Sequence, residues 1–334
     1  MGERRVADLG EDALVAGLLG LYPAAPPWLR VGPGDDAAVL DLPGTAGLVV
    51  STDTLVEGRD FRRDWSSGAE VGVKVAAQSM ADIAAMGARP RALLVSLAAP
   101  GDLPADFAAD LARGLAEECA RAGAAVVGGD VSDADQVVLT GTAIGLLDPG
   151  VDAVRRGGAR PGDTVALAGR TGASAAGLAL LQAGRTVGVA PALADLLAAH
   201  RAPRPPYLAG PAAARARAHA MIDTSDGLLR DAARIAMSSA VVLDLDPQAL
   251  PAVPGLAEAA DLLGAPDLVR QWQLTGGEDH ALLACFAPQT ALPEAFVPIG
   301  TVLAAVPSGG ARRGGGQVLV AGQDWAGSPG WTHW

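Results

Sequence analysis

Residues 67–98, SGAEVGVKVAAQSMADIAAMGARPRALLVSLA, settle the class of fold. From Gly68 to Met86 the pattern is helical, with Ser67 placed to cap the N-terminus and Gly87 where a left-handed glycine ends a helix. Arg89-Pro90 then opens a strand over Ala92–Ala98. A helix that runs straight into a strand is the alternation of an α/β or α+β sandwich.

Toward the N-terminus, two β-type runs, Ala37–Leu42 and Leu48–Ser51, flank the turn at Pro43-Gly44 and predict a hairpin or a neighbouring pair. Before them, Val6, Leu9, Leu14, Val15, Leu18 and Leu19 recur at helical spacing over residues 5–21, and the run stops at Pro23 and Pro26-Pro27. Toward the C-terminus, a helix from about Pro104 to Ala122 ends at Gly123. Strands Ala125–Val127 and Val137–Leu147 are then expected on either side of Gly128-Gly129-Asp130.

The pattern breaks around Asp148-Pro149-Gly150, which divides the chain into 1–149 and 150–334. The second part opens with a strand, Thr164–Ala168, and a Gly/Ala-rich helix through Leu181. Pro203, Pro205 and Pro206 mark a loop, followed by a helix near 207–220, a short strand at Met221-Ile222 and a helix opened by Thr224-Ser225-Asp226. Strands near 241–245, 281–286, 295–301 and 317–321 complete an α+β chain of two α/β-type domains. No helix follows Gly314-Gly315-Gly316, which reads as a turn and not a phosphate loop.

A length of 334 residues also fits two domains at about 100–200 residues each. Half the chain is hydrophobic and 19% is charged, which excludes overall disorder. A net charge of −12 argues against bulk attraction to nucleic acid or anionic membrane, so a polyanionic substrate requires metal ions or local arginines. Cys119 and Cys285 form no CxxC pair and read as buried thiols. Asp8, Glu11 and Asp12 interrupt the apolar stretch after Arg4 and Arg5, and no uncharged apolar run reaches about 18 residues, so a soluble cytoplasmic protein is expected. Lys74 is the only lysine, within a helical pattern and without a glycine-rich loop before it. That excludes a P-loop nucleotidase and the lysine-based kinase motifs. Genomic preference for arginine codons accounts for the missing lysines.

Aspartates stand beside small residues at four points of the first half: Gly34-Asp35-Asp36, Ser51-Thr52-Asp53, Ser79-Met80-Ala81-Asp82 and Gly128-Gly129-Asp130. Each alone is also what turn and cap chemistry places at the end of an element. Asp82 is different, because it lies in a helical run among Val75, Ala76, Ile83 and Ala84, where an unpaired carboxylate is costly. Together the four could supply Mg²⁺, which takes one or two carboxylates plus substrate phosphates. In the second half, Ser225 and Asp226 are expected at a helix N-terminus, which favours anions, or as an ordinary cap. Glu278-Asp279 after two glycines exceeds what a simple turn needs. His200, His219 and His333 form no metal pair and read as surface or core residues.

Seven segments, in order, carry a resemblance: GDDAAVL at 34–40, STDTLVEG at 51–58, DIAAMGARP at 82–90, GGD at 128–130, RRGGARPGD at 155–163, DTSDGLLRD at 223–231 and LTGGEDHALL at 274–283. In this order the chain resembles the thiamine-monophosphate kinase family, within the superfamily of aminoimidazole ribonucleotide synthetase. The resemblance implies that superfamily's fold and ATP-dependent phosphorylation of thiamine monophosphate to thiamine diphosphate, with several Mg²⁺ ions. It also implies a homodimer whose N-terminal sheets pair across the two-fold axis. Carried over by position, the implied Mg²⁺ ligands are Asp36, Ser51, Thr52, Asp53, Asp82, Asp130, Asp223 and Asp226. The implied ATP contacts are Gly129, Asp130, Arg156 and Ser225; the implied substrate contacts are Asp60, Glu278 and Trp325. No general base is implied.

The chain departs from the family at Gly58-Arg59-Asp60-Phe61, where many members place histidine before phenylalanine. It departs again at Glu278-Asp279-His280, where the family has tyrosine third, and at a Ser-Pro-Gly insertion between Gly327 and Trp331. Two alternatives stand beside this reading. Another ATP-using enzyme of the superfamily is one, although a selenophosphate synthetase would carry a reactive cysteine and lysine early, and neither precedes Lys74. The other is a non-catalytic binding module, which loss of the acids would betray; all the matching aspartates are present.

Overall fold

The computed structural model describes residues 28–31, 35–305 and 316–331; the helix expected over 5–21 lies outside the described residues. The first part comprises β1 (Leu29–Val31), β2 (Ala38–Leu40), β3 (Leu48–Val56), α1 (Gly68–Ala85), β4 (Arg89–Ala99), α2 (Ala105–Ala122), β5 (Ala125–Asp133) and β6 (Val138–Leu146). Its strands form one sheet in the order β1-β2-β3-β6-β4-β5. Only β4 and β5 pair in parallel, and α2 supplies the crossover that a parallel connection needs.

The second part comprises β7 (Thr164–Ala168), α3 (Ala173–Gln182), α4 (Pro191–Arg201), α5 (Ala209–Arg215), β8 (Ala220–Asp223), α6 (Leu228–Ser239), β9 (Val241–Leu245), α7 (Leu256–Leu262), α8 (Leu268–Thr275), β10 (Leu282–Phe286), β11 (Phe296–Ala304), β12 (Gln317–Val320) and β13 (Gln323–Asp324). Its sheet runs β13-β12-β9-β11-β7-β10-β8. Among the described residues no helix is long and apolar enough to cross a membrane.

Several elements differ from the sequence reading. Gly128-Gly129-Asp130 lies inside β5 and not between two strands, because a Cβ on Gly129 would come within 1.8 Å of the Val95 carbonyl oxygen and glycine alone lets β5 pair there. The helix expected from Thr224 starts at Leu228, since the main-chain N–H groups of Asp226 and Gly227 are taken by the Asp231 carboxylate. The helix expected near 207–220 is only Ala209–Arg215, and α4, α7 and α8 are additional.

α1 joins the two parts. Ser67 and Glu70 close a reciprocal capping box at its start, and Gly87, at φ +78°, turns the chain into β4. Fourteen of its 18 residues are buried, the mark of a helix enclosed on all sides. Val71, Val75, Met80 and Ile83 share one core with Val49, Leu93 and Leu139 of the first sheet and with Met221, Leu282, Ala284 and Phe286 of the second. Alternation along β10 turns Leu283 and Cys285 into a separate core with Leu229 and Ile235 of α6. Glycines on the partners permit the close approach: a Cβ on Gly114 of α2 would sit 1.9 Å from the Ala69 carbonyl oxygen, and one on Gly210 of α5 equally close to that of Ala84.

Gly114→Ala therefore overpacks the α1–α2 contact and lowers stability by about 1–3 kcal/mol. Gly101→Ala, where the added methyl meets nothing within 4 Å, changes stability by less than about 0.5 kcal/mol. Urea unfolding of both variants checks the difference.

Candidate functional site

A cavity of about 970 Å³ opens between the two parts. One stripe of α1 borders it, because positions i, i+4 and i+8 share a helix face: Gln78 and Asp82 line the wall and Lys74 lies beneath it. Asp82 and Lys74 are eight residues apart, so the helix separates the two ends of this wall by about 12 Å.

At the Asp82 end, β3 contributes Ser51 and Asp53 on its inward face. The Ser51 hydroxyl donates to Asp82 Oδ2 at 2.5 Å. Thr52 alternates outward and spends its hydroxyl on the Gly141 carbonyl at 3.1 Å. Asp36 enters from the turn before β2; its Oδ1 accepts Arg156 Nε–H at 2.8 Å, while Oδ2 is buried with no partner among the described residues. Asp35 accepts the Arg156 main-chain N–H. An implied metal ligand and an implied ATP contact are thus bonded to each other.

The second sheet delivers the rest. β8 pairs with β10 so that Asp223 stands opposite Leu282, which lays segments 223–226 and 274–280 side by side. Glu278 N–H donates to the Ser225 carbonyl at 2.8 Å and His280 N–H to that of Thr224 at 3.0 Å. A Cβ on Gly277 would meet the Ser225 carbonyl oxygen at 2.6 Å, which accounts for the second glycine of the pair. Glu278 and His280 both adopt left-handed backbone, φ +64° and +50°, a local strain of the kind concentrated at functional sites. Between them Asp279 turns away and accepts the N–H groups of Gly172 and Ser174, capping α3. The paired acids thus divide into one for the cavity and one for the scaffold.

Electrostatics separates the carboxylates further. Burial, reinforced by neighbouring carboxylates, raises Asp53 and holds Asp82 well above the usual range. Asp36 is pushed up to about 7, burial outweighing the help of Arg156. Asp223 accepts His280 Nδ1–H at 3.0 Å; burial works to lower the imidazole, but this bond together with the charges of Asp223, Glu278 and Asp53 keeps it above its ordinary pKa. Asp226 is paired with Arg234 at 2.6 Å. Among the described residues no three such side chains form a ready cage for one ion. Mg²⁺ seldom uses such a cage, because it keeps waters and borrows substrate phosphates. Hard oxygen donors, one of them orphaned and several in mutual repulsion, fit that ion.

The structure brings Asp36, Ser51, Thr52, Asp53, Asp60, Asp82, Arg156, Asp223, Ser225, Asp226 and Glu278 to the cavity. It does not bring Gly129, Asp130 or Trp325. Asp130 sits on the edge strand β5; the row Asp53–Gly141–Val95–Gly129 crosses three strand spacings, roughly 14 Å. Trp325 packs on the second core and donates Nε1–H to the Ser328 carbonyl. The tryptophan in the cavity wall is Trp331, anchored by its N–H on the Asp226 carbonyl at 2.9 Å. Asp60 lines the cavity, but its Oδ2 accepts the Val56 N–H at 2.7 Å and so closes its own turn. His200, read from sequence as a surface or core residue, is buried against Glu278; no spacing motif marked it.

Residues 34–147 match the family model described as AIR synthase related protein, N-terminal domain. The fold is that of AIR synthase: a solved structure of AaThiL complexed with AMPPCP and TMP covers 100% of both chains with a TM-score of 0.87 at 28% identity. The thiamine-monophosphate kinase of Corynebacterium glutamicum is 43% identical over 270 residues, 80% of each chain. That of Mycobacterium tuberculosis H37Rv is 45% identical over 307 residues, 92% of this chain and 86% of the relative. With that identity over nearly its whole length, and with the acids and the Gly-Gly-Glu-Asp loop converging on one cavity, the chain belongs to the thiamine-monophosphate kinase family.

Proposed function

We propose that this protein transfers the γ-phosphoryl group of ATP to thiamine monophosphate, forming thiamine diphosphate. The observation that carries the reading is the convergence of Asp36, Asp53, Asp82 and Asp223, from both halves of the chain, on one wall of the cavity. The relatives' names and the AMPPCP and TMP of the similar structure supply the substrates. A phosphate monoester with a second pKa near 6 is largely dianionic at neutral pH, so the acceptor oxygen needs no strong base. None is assigned.

The obstacle is repulsion between two polyanions. Bound Mg²⁺ would neutralise that charge and align the phosphates, the terms that dominate phosphoryl transfer. The orphaned Asp36 oxygen, Asp53, Asp82 and Asp223 would hold the ions, with the main chain of Thr52 and the side chains of Ser51 and Asp226 beside them. Arg156 and Arg234 line the same cavity and bring positive charge to a polyanion in a chain of net charge −12; Ser225 borders them. Glu278 and the ring of Trp331, in place of Trp325, are assigned to the organic part of the acceptor. Asp60 acts through its turn.

The division near residue 150 fits this scheme, each half contributing one side of the cavity. A cytoplasmic enzyme fits the free thiols of Cys119 and Cys285. A homodimer through the first sheet is part of the same proposal. Among the described residues β5 is an edge strand with an unpaired side, and Val127 and Val131 on it are 59% and 77% exposed. Asp130, remote from the acids of its own chain, then serves the cavity of a second copy.

Incubation with ATP, Mg²⁺ and thiamine monophosphate is expected to yield thiamine diphosphate by chromatography, with free thiamine a poor substrate. Comparable turnover of both would point to a hydroxyl kinase instead. Asp53→Asn and Asp130→Asn should each lower turnover by orders of magnitude without unfolding the chain. Mixing the two inactive variants should restore part of the activity, because one cavity of a mixed dimer keeps both wild-type acids; no recovery places Asp130 in its own chain's site.

The raised acids also set a pH dependence. A carboxyl that keeps its proton in the native state stabilises it at low pH, and that stability is lost as pH rises through the native pKa, about 7 for Asp36. Asp53, Asp82, Asp231 (about 8), Asp279 (about 6) and His280 act in the same direction, so the part that Mg²⁺ reverses is what reports on the cation acids; His200, lowered by burial and by Lys74, opposes them. Without divalent cations the melting temperature should therefore fall from about pH 5 to about pH 8, and Mg²⁺ should restore more at the higher pH. A flat profile in calorimetry, with and without Mg²⁺, would count against the cation site.

A further inference from the structure

Lys74 is the residue that the proposed reaction leaves without a task. It is the only lysine among 25 basic side chains, and only 2% of its side chain is exposed. Its Nζ lies 2.9 Å from Glu278 Oε1 and donates to the Asp60 carbonyl at 2.8 Å. One ammonium thus ties the turn after β3 to the loop before β10. His200 Nδ1 completes the pair, 3.2 Å from Glu278 Oε2 and 3.1 Å from Ser174 Oγ.

A buried ammonium or carboxylate is costly alone and tolerable when paired and hydrogen-bonded. Burial works to raise the Glu278 carboxyl, but Lys74 and then His200 outweigh it and hold Glu278 well below the usual range. A guanidinium would not substitute freely, since its planar fork needs more room than a compact ammonium set between two acceptors. Codon preference explains arginine elsewhere. At this position the geometry explains the exception.

We propose that Lys74 is a positioning residue, which aims Glu278 at the cavity and pins the Asp60 turn so that the acceptor's walls are set before it binds. This rests on the reading of the cavity as the thiamine monophosphate site. The constraint is the same in ground and transition states, so its loss acts on KM for the acceptor and not on kcat.

Lys74→Met should raise KM for thiamine monophosphate by about 10-fold to 100-fold, the equivalent of one hydrogen bond to a charged group. The kcat and the KM for ATP should stay nearly constant, and Lys74→Arg should lie between wild type and Lys74→Met. Because Lys74 acts in part through Glu278, the effects of Lys74→Met and Glu278→Gln on KM should combine to clearly less than their sum, the remainder being the Asp60 turn. A fall in kcat with full additivity means general loss of packing and overturns the proposal. A second measurement needs neither substrate nor a Lys74 variant. Labelling with ¹⁵N-lysine gives one side-chain ammonium signal, which should shift and exchange faster with water in Glu278→Gln; an unmoved signal overturns the contact. Wild-type protein that makes no thiamine diphosphate, with the signal responding, overturns the substrate reading instead, so the two failures are distinct.

Discussion

The burial of α1 between two sheets is the constraint from which the rest follows. A helix enclosed on all sides must be built of small and apolar residues, and the alanines and glycines of 68–85 meet that demand. Because its neighbours touch its main chain directly through Gly114 and Gly210, α1 has little freedom to slide. Any polar residue it carries is therefore placed as firmly as the core itself. Asp82 and Lys74, of opposite charge and about two turns apart, fix the two ends of one cavity wall.

The second sheet completes what α1 begins. Register between β8 and β10 sets the Asp223 segment against the Gly-Gly-Glu-Asp loop, and main-chain hydrogen bonds lock the two together. Neither segment could hold its side chains alone, since Glu278 and His280 occupy left-handed backbone that an isolated loop would leave. Strain at these positions is offset by the Asp279 cap on α3 and by the Lys74–Glu278 pair.

What could be read from sequence and what could not follows the range of the interactions. α1 and the turn after it were legible because caps and apolar spacing are local, and Ser67, Glu70 and Gly87 do what their residue types predict. The acids that meet at the cavity were legible through their order along the chain, the resemblance supplying what spacing alone left open between metal ligand and turn. Gly128-Gly129-Asp130 was misplaced because a strand interior containing two glycines looks like a loop until its close partner, Val95, is known. Trp331 is not marked by sequence as a cavity residue, because the Ser-Pro-Gly insertion separates it from the Trp325 position; its main-chain bond to Asp226 is what sets it in the cavity wall. His200 and Lys74 carry no motif; both matter through Glu278, some eighty and two hundred residues away in sequence.

The carboxylates around the cavity fall into two kinds, and the division indicates where cations belong. Glu278, Asp226 and Asp279 are answered by the protein, through Lys74, Arg234 and the N–H groups of α3. Asp53 and the free oxygen of Asp36 meet no cation of the protein, and Asp82 has only the Ser51 hydroxyl; burial and neighbouring carboxylates drive all three toward protonation. A protein that needed only a stable fold would lose little by replacing Asp53 and Asp82 with amides of the same shape, since their repulsion would vanish. Their cost becomes intelligible if their charge is answered from outside the chain. Of the answered set only Glu278 is then left for the organic part of an acceptor, while the unanswered set would meet phosphate charge through metal.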